Sequence, residues 1–258
     1  MGVTPYPDSS LEHGTKLGGR SEARWSFTLY PDAAEGGGSF RSTAGETSGG
    51  DSPAPDPERS ATDAARRARS KVRRYCAANR LNRLGTLTYG PPYCTDPREL
   101  RRDLAAFIRH MRDEVGSRFP YLWVPELHAD RERFHAHFAV GRYLSYRAIR
   151  RAWGHGFVDI RLLGDLPVGS GTLGESRKAA GYLSKYVGKD LGRVDGSGLH
   201  RYEVAQGFQP RGVPISGSTS DEVIGWAETY MGAPAERVWR SRDEEAWDGP
   251  PALWASWS

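Results

Sequence analysis

Between residues 84 and 189 the apolar positions change period several times, and each change marks an element. LGTLTY (Leu84–Tyr89) is a short apolar and threonine-rich run closed by Gly90-Pro91-Pro92, which reads as a strand followed by a breaker. Leu100, Leu104, Phe107, Ile108, Met111 and Val115 then recur at spacings of three and four, the period of an amphipathic helix. Asp96 is placed to cap that helix, Pro97 sits at its first position, Glu99 completes a capping-box pattern and Gly116 ends it. YLWVPELH (Tyr121–His128) and RFHAHFAV (Arg133–Val140) read as two strands of a hairpin. A short helix is expected around Ser145–Trp153. GFVDIRLL (Gly156–Leu163) alternates Val158, Ile160 and Leu162 against Asp159 and Arg161, as a strand does. A Gly-rich loop over 164–174 leads to a helix near Glu175–Lys189, and a further strand is expected over His200–Phe208.

The flanks differ. Residues 1–60 are poor in aliphatics, and the run Pro31–Arg59, with its GGGS and DSPAPDPE, is expected to be largely disordered. ARWSFTLY (Ala23–Tyr30) is a local exception with strand character. Residues 61–209 form the expected folded domain. Residues 210–258 read as a tail rich in Trp, Pro and Gly, to which the sequence assigns no role.

Composition narrows the class. Two cysteines, Cys76 and Cys94, make no disulfide framework, which fits a reducing cytoplasm. No apolar run reaches the roughly 18 residues of a membrane span, and the N-terminus lacks the apolar core of a signal peptide. Net charge is +4, too small to argue for nucleic acid by itself. The distribution says more. Arg66, Arg67, Arg69, Lys71, Arg73 and Arg74 put six cations into nine positions of a helix-permissive segment. Two readings stand: a solvated basic helix, or a helix that contacts phosphates and releases counterions.

FHAHF sets His135 and His137 two apart on a strand, so both imidazoles point to one face while Phe134, Ala136, Phe138 and Val140 point to the other. Glu126 and His128 are likewise two apart on the preceding strand, with Trp123 and Leu127 on its apolar face. Burying both apolar sets together puts Glu126 and His128 on the histidine face. The expected register pairs Glu126 with His137 and His128 with His135, across a connection at 129–134. Two imidazoles and a carboxylate suit Mg²⁺, Mn²⁺ or Zn²⁺ with coordination positions left for substrate. His128 is either a fourth ligand or a donor to a phosphate.

GYLSKYVGKD places Tyr182, Lys185, Tyr186 and Lys189 at offsets of three, four and seven, one face of a helix, beside a packing stripe of Leu183 and Val187. A phenol has a pKa near 10, so an adjacent ammonium and a metal-polarised phosphate are what make it a usable nucleophile.

LGTLTY, then HAH, then YLSKYVGK resembles the three ordered motifs of HUH rolling-circle replication initiators of plasmids and single-stranded DNA phages. The resemblance spans about residues 70–209. It implies an α+β fold with a central antiparallel sheet of about five strands flanked by helices, the HUH endonuclease arrangement related to ferredoxin- and RRM-like folds. It implies His135 and His137 as metal ligands with Glu126 as third, and a divalent cofactor, Mg or Mn. It implies Tyr182 as nucleophile, Lys185 as its partner and Tyr186 at the position of a second tyrosine. The expected activity is metal-assisted nicking of single-stranded origin DNA, leaving a 5′-phosphotyrosine and a free 3′-OH. No Walker A pattern is present, so a fused helicase is not expected, and host helicase and DNA polymerase are the implied partners. Two other uses of the same chemistry are a transposase and a relaxase, although relaxases usually place the tyrosine before the histidines. Outside that chemistry stand a non-catalytic nucleic-acid-binding protein and an unrelated metallohydrolase.

Overall fold

The computed structural model describes residues 24–41, 57–162, 172–187, 200–247 and 249–258. The expected loop at 164–174 lies mostly outside them, as do Lys189 and the greater part of residues 1–60. The described residues form an α+β fold with two five-stranded antiparallel sheets and five α-helices.

The central sheet runs β6-β3-β5-β4-β7, from β3 (Arg83–Tyr89), β4 (Tyr121–Leu127), β5 (Phe134–Val140), β6 (Gly156–Leu162) and β7 (Glu203–Val204). Its histidine strand β5 lies in the middle and every residue of it is buried. That follows from covering both faces. On one face, α2 (Pro97–Val115) and α3 (Tyr146–Trp153) bury Leu100, Leu104, Phe107, Ile149 and Trp153 against Trp123, Leu127, Phe134 and Phe138. Phe138 lies across Gly85 of β3. A Cβ there would stand 2.2 Å from the Phe138 ring, so only glycine leaves room for it. On the other face, α1 (Pro57–Ala78) and α4 (Thr172–Val187) pack Val72, Tyr75, Cys76, Ala179, Ala180, Leu183 and Val187 against Leu84, Leu122, Val124 and Ala139. Leu183 and Val187 form the packing stripe that their spacing predicts.

The helix ends follow local chemistry. The Asp96 carboxylate accepts from the Arg98 N–H at 2.8 Å, and Gly116 closes α2 in the left-handed region at φ 69°. The Ser145 hydroxyl accepts from the Ala148 N–H at the start of α3, and Gly154 ends it.

Two expectations need correction here. The strand expected over His200–Phe208 shortens to Glu203–Val204, because the chain turns at Gln206-Gly207, with Gly207 at φ 87°. The stretch Pro31–Arg59 is not disordered in its described parts. Pro31–Ala33 is a 3-10 turn, Glu35–Arg41 is a strand and α1 begins at Pro57. Glu35–Arg41 (β2) has few aliphatics of its own, but it is the central strand of the flanking sheet, and its neighbours supply the apolar cover. A Cβ at Gly36 would stand 2.4 Å from the Phe27 ring.

That flanking sheet runs β8-β1-β2-β10-β9. It joins β1 (Arg24–Tyr30) and β2 to β8 (Val213–Gly217), β9 (Arg237–Arg240) and β10 (Ala252–Ser256). The stretch read as a tail thus supplies three strands, together with α5 (Ser220–Met231), which packs Val223, Ile224 and Ala227 on Phe27, Leu29 and Leu253. The sheet is tied to α4 by Arg177, whose guanidinium donates to Ala34 O at 2.9 Å and Trp257 O at 2.8 Å.

Candidate metal and nucleophile site

The β4–β5 register differs from the expected one by two residues. Glu126 faces His135, and Val124 faces His137. The cause is a tight connection at 129–132. His128 N–H donates to Arg133 O, Arg131 sits at φ 61°, and the Asp130 carboxylate accepts from the Glu132 and Arg133 N–H groups. Pairing therefore continues to Leu127–Phe134. A shift of two preserves the faces, so Glu126, His135 and His137 still share one.

On that face the three donors converge. Glu126 Oε2 lies 2.9 Å from His135 Nε2 and 2.7 Å from His137 Nε2, and the two Nε2 atoms are 3.2 Å apart. These donor atoms lie within 4.8 Å of one another and form the one such cluster among the described residues. Donors bound to an ion at roughly 2.1 Å sit roughly 3 Å from each other, so the spacing fits a single divalent cation. Burial pushes the His135 imidazole down to about 4, with His137 as the next cause and His128 adding to it against the opposing pull of Glu126. A neutral imidazole is the form that binds metal. His135 Nδ1 is buried without a hydrogen-bond partner.

The orientation of His137 comes from β3. Its Nδ1 lies 3.1 Å from Thr86 Oγ1, directly across the β3–β5 ladder. A hydrogen bond at the nitrogen away from the ligand atom fixes the tautomer and the ring plane. Thr86 escaped the sequence reading, which used LGTLTY only as a strand. The alternation of Thr86 and Thr88 with Leu87 was the available signal, but it points to His137 only once β3 is known to pair with β5. His128 packs its ring 4.4 Å from that of His135 but is not among the three converging donors, because the tight turn sets it opposite Arg133 at the hairpin's end.

The helix α4 brings the tyrosines to this cluster. The Tyr186 ring stacks on His137 at 4.2 Å, and the Tyr182 ring meets His137 edge-on at 5.8 Å. Lys185 Nζ stands 5.7 Å from the Tyr182 ring. The two phenols are not equivalent. Tyr182 is exposed, whereas Tyr186 is half-buried, and burial holds its phenol well above the ordinary range, with its hydrogen bond to Tyr182 the next cause.

The basic residues of α1 divide. Arg67, Arg69 and Lys71 are exposed. Arg66 pairs with Asp63 at 3.1 Å and covers Trp247, Arg73 pairs with Glu35 at 2.7 Å and covers Trp254, and Arg74 lies over Tyr30. These last three therefore rest on aromatic rings of the flanking strands and their connections. No helix among the described residues is long and apolar enough to cross a membrane.

No curated protein and no solved structure matches the chain. Residues 82–191 match the model of a protein family, and that span holds Thr86, Glu126, both histidines and both tyrosines. The family that this span resembles is described as replication-associated protein ORF2/G2P.

Proposed function

We propose that the protein is a replication initiator that nicks single-stranded origin DNA through Tyr182 and remains covalently attached to it. The observation that carries this reading is the convergence of Glu126, His135 and His137 beneath a helix that presents two phenols and an ammonium group. A divalent cation held by those three residues supplies Lewis acidity to the scissile phosphate. Mg or Mn suits a set that mixes carboxylate and imidazole and must leave positions for phosphate oxygens.

The rest is done by α4. Tyr182 Oη attacks phosphorus as its proton leaves; the Oη–P bond forms, the P–O3′ bond breaks, and the departing 3′ oxygen takes up a proton. The products are a 5′-phosphotyrosine and a 3′-OH able to prime a host polymerase. The phosphodiester energy is kept in the new bond, so a later 3′-OH can religate the strand. Lys185 stabilises the phenolate and the charge gathering on the phosphate. Exposure favours Tyr182 as the first nucleophile. Tyr186 needs stronger activation to ionise, and its contact with His137 puts it in reach as the acceptor of a second transfer. Unwinding of the duplex falls to a host helicase.

The test uses single-stranded oligonucleotides tiling the DNA that flanks the protein's gene. In Mn²⁺ a covalent adduct is expected on a denaturing gel, absent in EDTA and reduced at least about a thousandfold by His137→Ala. A protein that binds these oligonucleotides without nicking them, indifferent to EDTA, would instead be a non-catalytic nucleic-acid-binding protein.

A further inference from the structure

The flanking sheet has two unlike faces. α5 covers the face of Phe27, Leu29 and Leu253. The opposite face carries Thr28, Gly37, Trp254 and Trp239, paired in one row across four strands. α1 lies over this second face with its cationic side turned to it, Arg74 over Tyr30 and Arg73 over Trp254. Helix and sheet do not close on each other. A cleft of about 340 Å³ remains, with Gly36, Gly37 and Trp254 on the sheet side and Arg66, Arg67 and Lys71 on the helix side.

The chemistry of this cleft is one-sided. Arg66, Arg67, Lys71, Arg73 and Arg74 line it against a single carboxylate, Glu35, which Arg73 already holds through two hydrogen bonds of 2.7 and 3.1 Å. Arg67 and Lys71 are exposed and make no ion pair among the described residues. Gly37, directly across the ladder, puts no side chain beside the indole of Trp254, which Arg73 covers on one side at 5.2 Å. A wall of cations beside an indole suits a ligand with regularly spaced negative charges and flat faces free to stack. An acidic peptide offers the charge without the faces. A duplex offers the charge with its bases already stacked on each other.

We propose that the cleft between α1 and the flanking sheet is a second binding site, which takes single-stranded DNA by its phosphates on Arg67 and Lys71 and by a base against Trp254. The site lies largely outside the span that matches the replication family, and it acts whether or not Tyr182 nicks. α1 packs by its other side beside α4, so a strand held in the cleft is tied to the same helix pair that carries the tyrosines.

The test is fluorescence anisotropy of a labelled oligo(dT) with the full chain in EDTA, where adduct chemistry is off. Two variants probe the two halves of the cleft. Arg67→Glu with Lys71→Glu reverses exposed charges. It should weaken binding at least tenfold and make the slope of log affinity against log salt shallower by about 1.4, the release from two single-strand phosphates. Gly37→Val fills the floor, since a Cβ there meets Leu253 O at 3.5 Å and Trp254 Cδ1 at 3.7 Å, ordinary contact distances. It should leave the melting temperature within a few degrees and weaken binding about five- to tenfold with the salt slope unchanged. Affinity within twofold of the parent protein in both variants would overturn the proposal. So would tighter binding of an equal-length duplex that falls in step with the single strand. Adduct formation in Mn²⁺ is read separately, so failure of one assignment leaves the other standing.

Discussion

The two sheets have the same strand number and the same antiparallel pairing, yet they are built differently. The central sheet is covered by helices on both faces, and its middle strand is buried along its whole length. It gathers Glu126, His135 and His137 into one cluster of donors beneath α4. The flanking sheet has glycine at Gly36, Gly37 and Gly38 of its middle strand, an apolar core on one face and arginines over aromatic rings on the other. Rigid packing holds donor atoms at the spacing of a coordination shell in the first case. In the second, missing side chains open a surface between sheet and helix. Chemistry that depends on a few tenths of an ångström belongs on the first kind of scaffold; recognition of a flexible polyanion tolerates the second.

The largest effect that separates them is a cavity. Phe138→Ala is expected to cost about 3–5 kcal/mol in urea unfolding. It also removes the ring packed over Gly85, and with it the support of the strand that carries both histidines. Phe27→Ala is expected to cost a similar amount in the flanking sheet while leaving adduct formation within a few-fold of normal. Equal loss of adduct in both variants would show that the sheets are not separable in function.

A smaller effect comes from pH. His135 is held neutral in the folded chain down to about 4, while an unfolded histidine titrates near 6.5. Above about 6.5 neither state binds the proton, and stability is complete. As pH falls towards 4 the unfolded chain gains a proton that the folded one refuses, so stability drops, on the order of 1–3 kcal/mol in all. Unfolding of the metal-free protein followed between pH 7 and 5 should show it. The strands of the flanking sheet contain no histidine and should contribute nothing in that window.

The smallest is the Thr86 hydroxyl. Thr86→Val keeps the β-branched shape and deletes the partner of His137 Nδ1. Metal affinity, read by Mn²⁺ titration, should fall about tenfold with little change in stability.

What could be read from residues alone follows from the range of the interactions. α2 was legible because Asp96, Pro97 and Gly116 act within a turn of the helix and its apolar spacing is local. The shared face of Glu126, His135 and His137 was legible because alternation on a strand survives any even shift. The register itself was not, since it depends on how Asp130 gathers the Glu132 and Arg133 N–H groups. Thr86 required knowing which strand lies beside β5. The flanking sheet was least legible, because β2 gains its cover from Phe27, Leu253 and their neighbours, and β1 and β2 meet β8 and β10 only after the whole central sheet has intervened in the chain. Glycines that look like a linker in isolation are the middle of a sheet when their partners arrive.

Trypsin separates the two phenols, since the peptide Ala179–Lys185 contains Tyr182 and the peptide Tyr186–Lys189 contains Tyr186. Mass spectrometry of the digested adduct, formed in Mn²⁺ in a single turnover, should find the nucleotide on Ala179–Lys185. A nucleotide found on Tyr186–Lys189 instead, or an adduct that forms undiminished in Tyr182→Phe, would contradict the assignment of the exposed phenol as the attacking group.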